Sequence, residues 1–330
     1  MGAWIGNAVT KLLSNRVYFL VVLMIIVVII MTSLSPFFLT MSNLISMTRF
    51  GAVLALLALG QSLVILAGGA GIDLSIGAIL SLSGVLFGML VRDAGVNVWL
   101  AIPLTIVAGA LLGAVNGVTI VWWGLPPLIA TLGTLWAYGA LALVLTRGVP
   151  ISGFPTSFAF ISQDYILGIP TQILLIVIPV YLILQFMTSR TRFGRWIYLL
   201  GVNDEAARFA GVPVARVRFI LYTLNGVLAG LGAVVTASWF MAARPDAGAG
   251  MDLQSVTVAV LGGIHIFGGI GSLAGTMLAV VIVTMVATGL QLANINAVWQ
   301  LAVLGFMLLS AVALNQAVVR QSARRQGVQL

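Results

Sequence analysis

Long apolar runs alternate with short polar segments along the whole chain. Ten of these runs are predicted spans: nine approach or exceed the length of about 20 apolar residues that a helix needs to cross a bilayer, and the eighth is short and broken by glycine. Their apolar residues are continuous rather than confined to one helical face, which is typical of membrane helices. The predicted spans are residues 17–34, 50–67, 74–91, 98–121, 128–145, 166–187, 217–240, 255–267, 273–292 and 297–317.

The basic residues lie mainly outside these runs, in three clusters. Lys11 and Arg16 precede the first span, six arginines lie between 190 and 218, and three more follow the last span. Cytoplasmic segments of membrane proteins carry such an excess of basic residues. Because an even number of spans returns the chain to its starting side, we expect both termini and the stretch 189–216 in the cytoplasm. Loops 35–49, 147–165 and 241–254 then lie on the outer face.

We therefore expect an all-α polytopic membrane protein with about ten transmembrane helices in a single transmembrane domain, residues 1–330. The composition agrees, because 61% of the residues are hydrophobic, 7% are charged and the mean hydropathy is +1.19. The net charge of +8 follows from the three clusters. It does not indicate nucleic-acid binding, since no stacking aromatic residues are interleaved with the basic ones in a soluble module.

The sequence offers little for catalysis. There is no cysteine, which excludes disulfides and thiolate metal sites, and the one histidine, His265, has no metal-binding partners in sequence. A phosphate-binding P-loop needs a lysine directly after a glycine, whereas the only lysine, Lys11, follows Thr10. We expect a non-catalytic chain that binds no metal or cofactor, and ATP hydrolysis, where it is needed, by a separate chain.

The longest polar interruption, 189–218, contains a predicted short helix. Asn203 or Asp204 can cap its start, and two acidic residues in the first turn suit the positive end of the helix dipole. Gly211 ends it and Pro213 prevents its resumption. A helix of about eight residues is too short to be stable alone, so it must pack on something. An ordinary cytoplasmic loop is the alternative. The residues assigned to this helix and its ends are Asn203, Asp204, Glu205, Ala206, Ala207, Arg208 and Gly211.

Glycine-rich segments interrupt the spans in both halves of the chain, at 68–77 and 262–271. Irregular backbone at membrane depth is tolerated only where it is buried in protein or lines a cavity, so these segments indicate a transport pathway. The candidates for that pathway are Gln61, Gly69, Asp73, Ser75, Asn116 and Gly263.

Asp73 has two interpretations that can both hold. An intramembrane carboxylate is a functional candidate by default. Aspartate is also a good N-cap, with the N–H groups of Ser75 and Ile76 in reach. For Gln61 and Asn116, hydrogen bonding between helices is the alternative to contact with solute.

Five segments together resemble one known family. They are GGAGIDLSIGAILSLSG (68–84), GAVNGVTI (113–120), PPLIATLGTL (126–135), FGRWIYLLGVNDEAARFAGVPVARVR (193–218) and VAVLGGIHIFGGIGSLAGT (258–276). In order and spacing they resemble the permease subunits of bacterial ATP-binding-cassette (ABC) importers for ribose-like sugars, which include autoinducer-2 permeases.

The resemblance implies a multi-pass protein of the bacterial inner membrane that moves a sugar or sugar-like solute by alternating access. The solute could be a pentose, a deoxyhexose, a polyol or autoinducer-2. Two ABC ATPase subunits, which use ATP and Mg²⁺, would bind the helix 203–211 as a coupling helix. A second permease, identical or similar, would complete the pathway, and a periplasmic solute-binding protein would deliver the solute.

Three other functions remain as alternatives. An ion-coupled secondary transporter of a small polar solute would need Asp73 to change its charge. A branched-chain amino-acid permease shares the ten-span plan, although the GIDLS segment favours sugar-like solutes. An intramembrane enzyme is disfavoured by the missing histidine, cysteine and acid pairs.

Overall fold

A computed structural model describes residues 16–296, 299–300 and 302–313, and these residues are mostly helical. The helices in chain order are α1 (Arg16–Leu34), α2 (Met41–Leu66), α3 (Ile76–Arg92), α4 (Val98–Val121), α5 (Pro127–Thr146), α6 (Ile173–Arg190, beginning with a π-helical turn over Ile173–Val177), α7 (Arg192–Val202), α8 (Asp204–Phe209), α9 (Val214–Phe240), α10 (Met251–Leu261), α11 (Leu273–Leu292) and α12 (Ala302–Ala313). A 3₁₀ turn at Thr156–Ile161 and four two-residue strands complete the described elements.

The all-α polytopic fold is confirmed. Seven described helices (α1, α2, α4, α5, α6, α9 and α11) are long and apolar enough to span a membrane, and α3, α10 and α12 are shorter apolar helices. These ten correspond one to one with the predicted spans. The basic residues before 16 and after 313 lie outside the described residues.

Several predicted boundaries are wrong, each for a local reason. Helix α2 begins at Met41, because polar residues in its first turns find partners: Asn43 donates to the Phe38 carbonyl at 2.6 Å. Helix α6 begins only at Ile173, because Tyr165–Ile166 and Ile169–Pro170 pair as a hairpin.

The second glycine-rich segment also shortens its span. Helix α10 begins at Met251 and ends at Leu261, so the stretch from 262 to 267 that hydropathy assigned to the eighth span is irregular. Glycine takes positive φ freely, and Gly263 and Gly268 have φ values of 100° and 92°.

Helices α2 and α9 form the centre of the bundle. In their most apolar windows, 83% of α2 residues and 67% of α9 residues are buried, against 28% or less for α1, α4, α5 and α6. Helix α2 carries a continuous buried run from Ala52 to Leu66. A helix that is apolar all round belongs in such a core, and the peripheral helices present their apolar faces to lipid.

Helix α4 packs on α9 through glycines spaced four apart on both helices. Gly109 and Gly113 face Gly226 and Gly230 so closely that a Cβ added to Gly226 would lie 2.2 Å from the Gly109 carbonyl oxygen. Small residues at such spacing let membrane helices approach backbone to backbone.

Two loops predicted on the outer face meet each other. Strand β1 (Ile151–Ser152) pairs antiparallel with β4 (Ala242–Ala243), with Ile151 opposite Ala243. From there residues 243–248 run along α3 toward its N terminus, because Gly88 touches Ala243 and Gly77 touches Gly248. In the same loop, a paired hydrogen bond from Arg244 at 2.9 and 3.1 Å lowers the pKa of Asp246.

We predict that Gly226→Ala destabilises the folded protein, because the new methyl group meets backbone atoms that cannot rotate away. Overpacking of this kind typically costs about 1–3 kcal/mol. Thermal unfolding of the detergent-solubilised protein measures the effect. Gly133→Ala is the matched control, since a Cβ at Gly133 meets nothing within 4 Å. Equal melting temperatures for the two variants would contradict the role given to this helix crossing.

Candidate functional site

Asp73 lies in the first break, between α2 and α3, and is fully buried. Its Oδ1 accepts from the Ser75 N–H at 2.9 Å and from Ser75 Oγ at 2.6 Å. Its Oδ2 accepts from Asn225 Nδ2 of α9 at 2.9 Å. A buried carboxylate is tolerated only when it is hydrogen-bonded in this way. The hydrogen bonds of Asp73 therefore stabilise the conformation of the break and attach it to α9.

Neighbouring helices extend these contacts into one polar cluster. Asn116 of α4 donates to Ser75 Oγ at 2.7 Å and accepts from Thr134 Oγ1 of α5 at 2.7 Å. With its amide oriented to satisfy both partners, Gln61 of α2 donates to the Asp73 carbonyl at 3.0 Å and accepts from the Asp73 N–H at 3.1 Å. The Asp73 cluster is thus Gln61, Asp73, Ser75, Asn116, Thr134 and Asn225.

The structure brings four of the six pathway candidates together, namely Gln61, Asp73, Ser75 and Asn116, all fully buried. The sequence predicted Asp73 as the N-cap of the third span, and its position in the structure is different. Helix α3 begins at Ile76 with Ser75 as its N-cap, and Asp73 makes an Asx turn onto the Ser75 N–H from two residues before it.

The other two candidates lie apart from this cluster. A Cβ added to Gly69 would lie 2.1 Å from Arg218 Nη2, which places Gly69 beside the start of α9. Gly263 lies in the second break, directly after α10, where its carbonyl oxygen would be 3.2 Å from a Cβ on Gly271.

Two cavities differ in what they could hold. One of about 10 Å³ is lined by Gly68, Gly71, Arg218 and Tyr222 among others, and it has room for about one water molecule. Another, of about 410 Å³, lies between α2, α6 and α11 and is lined mainly by aliphatic side chains. A solute site combines an enclosed cavity with a few convergent polar groups, and neither cavity has both.

The predicted short helix exists as α8. Asn203 is its cap, since Asn203 Oδ1 accepts from the N–H groups of Glu205 and Ala206, both at 2.9 Å. Gly211, with φ of 79°, follows the last turn. The helix is shorter than expected, Asp204–Phe209, with Ala210 as its C-cap.

The two faces of α8 differ. Ala207 is 3% exposed and packs within its own chain, so it is not part of the surface that α8 leaves open to a partner. The exposed face carries Glu205, Ala206 and Arg208, and Phe209 is 85% exposed. Phe209 is therefore available at the end of α8 as an aromatic anchor for a partner.

Sequence reasoning missed α7 and three partner residues. Thr191 caps α7, and the helix buries Gly194, Ile197 and Leu200. Phe193, Ile197 and Leu200 recur at helical spacing, so an amphipathic pattern was there to be found. Asn225, which faces Asp73, could have been found as a polar residue inside an apolar span. Only the fold shows that Thr134 faces Asn116 and that Arg218 faces Asp204.

These features define a polytopic helical membrane protein with two broken spans and a capped surface helix. The family model described as "Branched-chain amino acid transport system / permease component" matches residues 43–312, and the chain belongs to this family. It is thus a permease component rather than an enzyme, and a multi-pass protein of the inner membrane.

Curated relatives cover most of the chain. The ribose import permease protein RbsC of Bacillus subtilis is 39% identical over 87% of this chain and 88% of its own length. The autoinducer 2 import system permease protein LsrD of Photorhabdus luminescens is 37% identical over 78% of both chains. The D-allose transport system permease protein AlsC of Escherichia coli is 36% identical over 87% of both. No solved structure matches the chain.

We predict that Ser75→Ala destabilises the protein and Ser83→Ala does not. Ser75 Oγ donates to Asp73 and accepts from Asn116, whereas Ser83 Oγ is buried in α3, the helix that Ser75 caps, and has no partner. A buried polar group left without its partner costs about 1–3 kcal/mol. Thermal unfolding in detergent compares the two variants. A loss for Ser83→Ala equal to that for Ser75→Ala would show that the cluster adds nothing specific.

We predict that Asp73→Asn folds and keeps most of its transport, and that Asp73→Leu yields little folded protein. The oxygen of the new asparagine can still accept from Ser75. Asn225 Oδ1, which has no partner in the unsubstituted protein, can accept from the amide of the new asparagine. Leucine leaves the Ser75 N–H and Asn225 Nδ2 without an acceptor. Size-exclusion profiles report folding and vesicle uptake reports transport. A well-folded but inactive Asp73→Asn would show that the charge itself is used.

Proposed function

We propose that this chain is the membrane-spanning subunit of an ATP-driven importer for a sugar or sugar-like solute. The family membership and the three relatives named for ribose, D-allose and autoinducer 2 support this solute class. A pentose, a deoxyhexose, a polyol or autoinducer-2 fits the proposal. A periplasmic solute-binding protein delivers the solute, and the outer loops 147–165 and 241–254 are its candidate docking surface.

Helix α8 is the coupling helix of the proposal, and it is the single observation that carries it. Its inner side is anchored by buried Ala207 and by the ion pair between Asp204 and Arg218, while Phe209 projects outward. A helix this short is not stable alone, and its surface of Glu205, Ala206, Arg208 and Phe209 is still exposed. We assign that surface to a groove on the partner ATPase, which binds the ATP and Mg²⁺.

Transport by alternating access fits the closed arrangement of the described residues. All of the Asp73 cluster except Thr134 is fully buried, and the cavity between Gly71, Arg218 and Tyr222 has room for about one water molecule, so a sugar passes only after the helices move. ATP-driven closure of two ATPase subunits supplies that movement through α8. A second permease, identical or similar, provides the other half of the pathway.

The ion-coupled alternative gains no support from the geometry of Asp73. Its two carboxylate oxygens already accept three hydrogen bonds from Ser75 and Asn225, which use most of their capacity to bind a coupling ion. The ATP-driven proposal needs no change of charge at this residue.

The experiment begins with purification of the chain from its native membrane and identification of co-purifying proteins by mass spectrometry. We expect an ATPase with a P-loop in roughly equal amount, and ATP-dependent uptake of labelled ribose, D-allose or autoinducer-2 by vesicles that contain the complex. A chain that purifies alone and still moves solute would overturn the proposal in favour of ion coupling.

Phe209→Ala tests the coupling helix within the same experiment. Loss of a central aromatic anchor typically costs about 2 kcal/mol or more of binding free energy, so the ATPase should dissociate during purification. Leu167→Ala is the matched control, because Leu167 is 95% exposed in the loop between α5 and α6, away from α8. Retention of the ATPase by Phe209→Ala would remove α8 from the interface. Ala206→Trp, on the exposed face, should give the same loss by steric clash.

A further inference from the structure

The two glycine-rich breaks and helix α7 meet at one point without any side chain between them. A Cβ added to Gly201 of α7 would lie 2.0 Å from the Leu66 carbonyl oxygen and 2.2 Å from the Gly269 nitrogen. A Cβ on Gly268 would lie 2.5 Å from the Gly68 Cα. We call Gly68, Gly201, Gly268 and Gly269 the glycine junction.

Hydrogen bonds connect the same three segments. The Gly269 N–H donates to the Leu66 carbonyl at the end of α2, at 3.0 Å. Tyr198 Oη of α7 donates to the Gly271 carbonyl at 3.0 Å. The second break is therefore attached both to the end of α2 and to α7, and neither can shift without straining these bonds.

Helix α7 connects the glycine junction directly to α8. It ends at Val202, and Asn203, the cap of α8, is the only residue between the two helices. Arg218 makes a second connection, since its guanidinium bonds Asp204 of α8 and lies against Gly69 of the first break. A displacement of α8 thus acts on the breaks at two separate points.

We propose that the glycine junction and Arg218 transmit movement of α8 to both broken spans, which makes Gly201, Tyr198 and Arg218 positioning residues for transport. The inference rests on the proposed function, because it takes α8 as the contact with the ATPase. It adds that the junction must open and close with the nucleotide state, rather than remain a fixed packing contact.

The natural absence of cysteine allows a direct test. A Cβ on Gly269 would lie 2.9 Å from Val202 Cγ2, so Val202→Cys with Gly269→Cys places two thiols within disulfide reach. The rate of disulfide formation is measured in the complex with its co-purified ATPase, without nucleotide and after trapping with ATP and vanadate. We expect the two rates to differ by at least about fivefold, the lower end of typical coupling between linked sites.

Gly84→Cys with Ala233→Cys is the matched control. A Cβ on Gly84 would lie 3.8 Å from the Ala233 Cβ, which is the usual separation in a disulfide, and this pair joins α3 to α9 away from the junction. Its rate should not depend on nucleotide. Oxidation of the junction pair should also stop transport and reduction restore it, whereas oxidation of the control pair should leave transport intact.

The outcomes separate this inference from the proposed function. Absence of a co-purified ATPase contradicts the proposed function, and the inference with it. With the ATPase bound, equal rates in both nucleotide states, or uptake unaffected by the junction disulfide, overturn the inference alone. Equal inhibition by the control disulfide overturns it too, because the loss then reflects general immobilisation.

Gly269 has a φ of 75°, where a side chain is strained, so a second reporter covers the case in which the pair does not fold. Phe267→Cys lies in the second break and is 62% exposed. Its alkylation rate should change with nucleotide, and Tyr198→Phe, which removes the bond to Gly271, should reduce that change. An alkylation rate independent of nucleotide contradicts the proposal.

Discussion

The hydrogen bonds that surround Asp73 determine how the centre of this bundle is built. An acid buried among apolar helices is tolerated only with its acceptors engaged, and four helices and the break itself supply the partners of the cluster. Those partners fix the relative positions of α2, α4, α5 and α9. The break between α2 and α3 is therefore an ordered element, and α3 begins where the Asp73 cluster places it.

Hydropathy predicted much of this fold, because it reflects what lipid demands of a helix. Ten apolar runs became ten apolar helices, and the glycines at 109, 113, 226 and 230 let two of them pack backbone to backbone. Boundaries were predicted less well. Polar first turns extended α2 to Met41, and the hairpin at 165–170 delayed α6 to Ile173, since both depend on local partners that hydropathy does not register.

The candidate site was likewise predicted only in part from the sequence. Asp73, Ser75, Gln61 and Asn116 stand out in sequence because they are polar within apolar runs, and the fold gathers them. Asn225 is also polar within an apolar run and was missed, whereas only the fold shows that Arg218 contacts Asp204. The glycine junction is similar, since Gly68, Gly201 and Gly268 are far apart in sequence and their approach is a property of tertiary structure.

One face of α9 joins the two sites. Arg218 and Asn225 are seven residues apart, which is two helical turns, or about 10 Å, with both side chains on one face. Arg218 holds Asp204 and lies against Gly69, where the first break begins, and Asn225 holds Asp73, close to where it ends. The first break thus lies along α9 between these two residues. If α8 is the coupling helix proposed above, its movement acts on the first break at Arg218, while the Asp73 cluster holds the other end of the break on α9. The first break is therefore the segment on which a movement of α8 and the hydrogen bonds of the Asp73 cluster act together.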